Sequence, residues 1–123
     1  MKHFIVIGVF AMALGVVLGA FGAHGLKDKI APNLLSAFNT GVEYQLYHGL
    51  GLILVGLMAY QFPQAKGLVV GGWLLLAGVV MFSGSLYGLA LTGARWLGPV
   101  TPLGGLAFIV GWGWIGWSVL RAS

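Results

Sequence analysis

A chain of 123 residues of which 59% are apolar and only 7% charged, with a mean hydropathy of +0.99, is one domain by length and is more apolar than any water-soluble domain of that size needs to be. Its formal charge of +4 does not mark a nucleic-acid binder: Lys2, Lys27, Lys29, Lys66, Arg95 and Arg121 are scattered and fall at or near the ends of apolar runs, where cations sit among head groups. The lack of cysteine excludes a disulfide framework, a thiolate metal site and thiol chemistry.

Residues 4–22, 44–65, 67–94 and 96–120 carry no charged side chain. Each run exceeds the roughly 18 residues that mark a spanning candidate, and in lipid only helices or closed barrels satisfy every backbone group. Barrel strands alternate polar and apolar at every second position, and these runs do not. The expectation is an all-α polytopic membrane protein, an antiparallel four-transmembrane-helix bundle, forming one membrane domain over 1–123.

Met1-Lys2-His3 ahead of an apolar run resembles a signal peptide, with small residues around Ala20-Phe21-Gly22; the segment is read here as a retained first helix, about 4–23. The polar connection 23–33 follows, in which Gly25 suits the end of helix 1 and Pro32 or Asn33 the start of the next. Helix 2 is expected over about 34–61, roughly 42 Å at 1.5 Å per residue, so its first turns project beyond a hydrocarbon core of about 30 Å or the helix tilts. Pro63 ends it and Gly67 opens helix 3, about 68–92. After a third connection at 93–102, helix 4 is expected over about 103–120, where Trp112, Trp114 and Trp117 resemble an interfacial aromatic belt. Glycine runs of small-xxx-small form, Gly15 to Gly19 and Gly84 to Gly88, indicate close helix approach. A faint internal echo relates Gly15-Val16-Val17 to Gly78-Val79-Val80, and the pair Gly49 and Gly56 to Gly104 and Gly111, which suggests two related hairpins.

The least oily helix-compatible stretch is Asn39-Thr40-Gly41-Val42-Glu43-Tyr44-Gln45-Leu46-Tyr47-His48. Counting about 20 residues back from Tyr60 puts the hydrocarbon boundary near Gly41, so Glu43 lies close to the interface. Up-and-down topology gathers the end of helix 1, the start of helix 2, the end of helix 3 and the start of helix 4 in one leaflet. His24, Asn39, Thr40, Glu43, Tyr44, Tyr47, His48, Ser83, Ser85, Tyr87, Thr92, Arg95 and Thr101 all belong to those four ends, and all but Thr40, Thr92 and Thr101 are taken as candidate site residues. At 100° per residue, Asn39, Thr40, Glu43, Tyr44, Tyr47 and His48 share one half of helix 2, which is expected to face the other helices. Gln45 falls on the opposite, apolar half.

Four segments together, 19–26, Tyr44-Gln45-Leu46-Tyr47-His48-Gly49-Leu50, Phe82-Ser83-Gly84-Ser85-Leu86-Tyr87 and Thr101-Pro102-Leu103-Gly104-Gly105, resemble the YgdD/YwdK-like family of small bacterial inner-membrane proteins, which has a eukaryotic relative among uncharacterised transmembrane proteins. The resemblance runs over nearly the whole chain. It implies a multi-pass protein of the bacterial inner membrane and supplies no catalytic residues.

Three readings of the polar cluster follow from the residues themselves. It ties helices together, with Glu43 pairing to Arg95, Lys27 or Lys29, in a packing or scaffolding module whose partner is another membrane protein. Alternatively it forms a site open to one leaflet for a lipid head group or small anionic molecule, or handles protons or ions through Glu43 and His24 or His48. An enzyme using His24, Glu43 and His48 as metal ligands, or Ser83 or Ser85 as nucleophile, has no recognised spacing behind it, since Glu43 and His48 stand about 140° apart on their helix. No pattern calls for a cofactor. The lipid bilayer is the expected partner, a homo-oligomer is left open, and the glycine motifs do not specify a dimer. Basic residues tie at three on each side, Lys2, Lys66 and Arg121 against Lys27, Lys29 and Arg95, which leaves the orientation open.

Overall fold

Glycine placement decides how the helices of this protein meet. A computed structural model describes residues 1–122 and contains α1 (Lys2–His24), α2 (Pro32–Gln61), α3 (Leu68–Gly78), a π-helical turn (Val79–Ser83), α4 (Gly84–Thr92), a 3-10 turn (Arg95–Leu97) and α5 (Val100–Arg121). The π turn joins α3 and α4 into one continuous span, so four helical rods are long and apolar enough to cross a membrane. Pro32 occupies the first turn of α2, where its missing N–H leaves no bond unmade. The third span ends on Gly93, whose φ of 72° is the left-handed cap that glycine supplies.

The first connection begins at the residue the sequence suggests, Gly25. Gly25 ends α1 in right-handed geometry, and the left-handed residue is Asp28, with φ of 66°, a conformation that aspartate tolerates better than most side chains. Gly25 is needed there for space, because a Cβ would stand 2.7 Å from the Phe21 ring.

Each of the two hairpins, the first with the second span and the third with the fourth, closes on a facing pair of glycines. In the first hairpin Gly8 lies against the carbonyl of Gly49 and the side chain of Ile53, Gly15 against Leu46, and Gly22 against Phe38. Their seven-residue spacing on α1 is the period of left-handed antiparallel packing. In the second hairpin Gly71 approaches the carbonyl of Gly111, Gly78 accepts the ring of Phe108, and Gly104 lies directly on the backbone of Phe82. Gly8 is therefore to Gly49 what Gly71 is to Gly111. The Gly84–Gly88 motif does not join helices in this chain: nothing lies within 4 Å of Gly84, and Gly88 abuts only Leu97 of the 3-10 turn.

Helix α2 joins the hairpins, with α1 on one flank and the third span on the other. Two apolar clusters hold the assembly. One contains Phe4, Leu52, Val55, Leu68, Leu75, Phe108 and Ile115. The other contains Leu26, Phe38, Val42 and Ala90, backed by Leu18 and Tyr87. The outer surface is aliphatic and aromatic, with Phe10, Val16, Leu54, Val80, Ile109 and Leu120 exposed, which is the surface a lipid environment requires.

Candidate functional site

Between the two apolar clusters runs a polar seam, built on the stretch of α2 from Gly41 to His48. Gly41 has no side chain to hold the third span away, and its carbonyl accepts a 2.6 Å hydrogen bond from Ser83 Oγ. Gln45 is buried and bridges three helices: its amide Nε2 donates to the Ala11 carbonyl of α1 at 2.8 Å, and its Oε1 accepts from the Tyr87 hydroxyl of α4 at 2.6 Å. Ser85 bonds the Phe82 carbonyl at 2.9 Å and the Thr101 hydroxyl at the start of α5.

One turn deeper, His48 Nδ1 lies 2.8 Å from the Tyr44 carbonyl, and Trp112 Nε1 donates to His48 Nε2 over 3.0 Å. A carbonyl only accepts and an indole N–H only donates, so Nδ1 carries the proton and Nε2 is the acceptor. The imidazole lies flat on Phe108, with ring centres 3.6 Å apart and planes 10° apart, and Tyr44 packs against Phe82 at 4.5 Å. Both ring nitrogens and the face toward Phe108 are engaged by the protein itself.

The half of α2 expected to face inward is only partly the half that does. Tyr44 and His48 point into the bundle, but Asn39, Glu43 and Tyr47 are exposed on the outer side, and Gln45, placed by angle among apolar residues, is buried at the centre. The reason is that α2 is packed on two flanks. Val42, Leu46 and Gly49 face α1 while Gly41 and Tyr44 face the third span, so the exposed sector falls between Asn39 and Tyr47. His24 and Arg95 are also exposed. Of the ten candidate residues, the structure brings together Tyr44, His48, Ser83, Ser85 and Tyr87 and leaves His24, Asn39, Glu43, Tyr47 and Arg95 on the outside. The ion pair expected between Glu43 and Arg95, Lys27 or Lys29 is not formed among the described residues. His24, Glu43 and His48 do not converge either, since no group of three histidine or carboxylate side chains does so among those residues.

Gln45, Trp112 and Phe108 complete the seam and are not among the residues expected there; Thr101, expected in the same leaflet, joins it through Ser85. Two signals were present in the sequence. A lone amide on an apolar face of a span marks a hydrogen bond between helices. Trp112 stands twelve residues into α5, too deep for an interfacial belt; Trp117, beside the guanidinium of Arg121 at 5.5 Å, fits that role.

The seam has a measurable consequence. Tyr87→Phe leaves the buried Gln45 oxygen without its donor, and Gln45→Leu leaves the Tyr87 hydroxyl without its acceptor. Each is expected to cost about 1–2 kcal/mol in detergent unfolding, with a coupling of about 0.6–1.7 kcal/mol in the double-mutant cycle. Strict additivity would show that the bond carries no energy.

Residues 18–105 match the family described as Protein of unknown function (DUF423), a stretch that contains every member of the seam except Ala11, Phe108 and Trp112. The UPF0382 membrane protein YwdK of Bacillus subtilis is 49% identical over 112 residues, 91% of each chain. The chain belongs to this family. Other members similar to it include a UPF0382 membrane protein of Staphylococcus haemolyticus, 50% identical over 91% of this chain and 90% of its own, and one of Staphylococcus aureus (strain bovine RF122 / ET3-1), 45% identical over the same shares. No solved structure matches the fold significantly. Family membership and the four apolar rods together make this a small multi-pass membrane protein of the DUF423/UPF0382 group.

Proposed function

We propose that this protein is a scaffolding module of the bacterial inner membrane, a rigidly packed set of four spans that presents a fixed outer surface to another membrane protein. One observation carries the reading: the polar side chains between the helices are hydrogen-bonded to one another or to backbone carbonyls, and among the described residues no buried side-chain nitrogen or oxygen lacks a partner. A binding or transport site keeps polar atoms in reserve for its ligand, and it keeps space. No cavity opens between the described residues.

Scaffolding separates stability from interaction. Glu43→Gln, on the exposed sector of α2, is expected to leave unfolding in detergent within about 0.5 kcal/mol of the parent protein, while seam substitutions lower it. Thermal unfolding in the presence of phosphate, glycerophosphoethanolamine or glycerophosphoglycerol is expected to be unchanged. A saturable rise in the unfolding midpoint with any of these, abolished by Tyr44→Ala or Ser83→Ala, would overturn scaffolding in favour of a ligand site.

A further inference from the structure

The one acidic side chain within the four rods faces away from everything the chain offers it. Asn39, Glu43 and Tyr47 are exposed at four-residue spacing along α2, a single line on the helix surface, and the line continues as the exposed Leu50, Leu54 and Leu57. The neighbouring helix gives the depth of Glu43. Gly19 of α1 abuts Val42, and Gly22 abuts Asn39, whereas α1 has no polar side chain from 4 to 23 and meets its first at His24. Glu43 therefore lies about six residues, roughly 9 Å, inside the level at which α1 turns polar. A carboxylate facing acyl chains at that depth is costly without a cation.

Arg95 is the matching charge. It is exposed in the 3-10 turn beside Trp96, which is 73% exposed, and it too forms no ion pair among the described residues. Leu97 of that turn folds back onto Gly88, and Tyr87 lies against Gly41 and Phe38, so Arg95 stands at the height of the early turns of α2. A long guanidinium stem spans the remaining distance to the level of Glu43. Within one chain the two are directed apart. Gly41 faces Ser83 and Tyr87 of the third span, and two residues on, Glu43 points about 200° away from that direction. Lys27 and Lys29 belong to the connection beyond α1, where Asp28 lies between them.

We propose that copies of this chain associate head to tail in the membrane, the Glu43 flank of α2 in one copy receiving Arg95 and Trp96 of the next. Opposite charges on opposite flanks at matched depth make a heterologous contact, which closes into a ring or extends as a row. A two-fold contact on the α2 face would instead set Glu43 against Glu43. The guanidinium fork pairs with the carboxylate through two parallel hydrogen bonds, with Asn39 and Tyr47 alongside. The proposal rests on the scaffold reading and names its partner as a second copy.

Because the chain has no cysteine, Asn39→Cys and Trp96→Cys, which leave Glu43 and Arg95 in place, can be put in separately tagged copies and co-reconstituted in liposomes with a short bismaleimide. The expected product joins the two tags, and since each copy carries one thiol it forms only between copies. In parallel, Glu43→Arg alone and Arg95→Glu alone should each lower the oligomeric fraction about tenfold, and the two together in one chain should restore it. A monomeric parent protein, cross-linking only of Asn39→Cys to itself, or an oligomer indifferent to both reversals would overturn the contact. Unfolding midpoints of the same variants keep the outcomes distinct. Loss of association at an unchanged midpoint supports the contact; should Glu43→Arg lower the midpoint, Glu43→Gln and Arg95→Gln replace the reversals, and persistence of the oligomer in both would sink the proposal. A monomer that still shows no ligand-dependent midpoint leaves the scaffold reading standing without this partner.

Discussion

Gly104→Ala is expected to destabilise the bundle by about 2–3 kcal/mol, the upper part of the range for overpacking a closed interior. A Cβ at that position would collide with the backbone nitrogen of Phe82 and stand 2.8 Å from its Cα. Those atoms belong to the π turn and have no rotamer by which to retreat. Ser83, the next residue, is bonded to the Gly41 carbonyl at 2.6 Å, so moving the turn away from α5 would press it into α2. The control lies on the same helix. Nothing stands within 4 Å of a Cβ at Gly113, and Gly113→Ala should be neutral or stabilising by about 0.5–1 kcal/mol through the helix preference of alanine. One methyl group added at two glycines of one helix thus gives opposite signs. Equal effects in detergent unfolding would mean that α5 does not sit on the π turn.

The second large effect is at His48. Removing its ring in His48→Ala leaves the Trp112 indole N–H without an acceptor and the face of Phe108 without the plane that lies 3.6 Å from it. A cavity and a donor left unpaired within the bundle together are expected to cost about 2–4 kcal/mol. Trp112→Phe keeps most of the packing and loses only the hydrogen bond, at about 1–2 kcal/mol. Tyr47→Ala supplies the contrast: its neighbour in sequence is also aromatic but 56% exposed, and its loss should fall within about 0.5 kcal/mol. Equal losses at positions 47 and 48 would show that α2 is rotated from the orientation described.

How much of this was legible beforehand differs from residue to residue. The four apolar rods were plain, because a charge-free run of that length without two-residue alternation satisfies its backbone in lipid only as a helix. Ser83, Ser85, Tyr87, Tyr44 and His48 were found as candidates for the same reason that polar groups stand out among glycine, valine and leucine. Asn39, Glu43 and Tyr47 were placed on the inner face by an argument that assumed one polar half and one apolar half. That assumption holds for a helix at the edge of a bundle in water. In lipid the outer face is apolar too, and α2 is covered on two flanks, so polarity ceased to tell inside from outside.

Gln45 shows the limit most clearly. Its angle put it among Val42, Leu46 and Leu52, and those residues are indeed buried or partly so. Being apolar in a membrane protein says little about which neighbour a side chain meets. The glycines carried more information than the polar residues: the seven-residue spacing of Gly8, Gly15 and Gly22 traces the α1 seam, and Gly71 with Gly78 traces that of α3. The π turn had no such trace, since five residues of Val79–Ser83 read as ordinary helix.

By itself the sequence determined the solvent, the number of crossings and the class of contact between them, because transfer of apolar side chains and the backbone's need for hydrogen bonds depend only on composition and length. The tertiary structure alone decided the rotation of α2, the widened turn that brings Ser83 to Gly41, and the separation of Glu43 from Arg95. Each of those depends on which pair of surfaces fits at glycine distance, a property of two helices at once that neither one's residues contain.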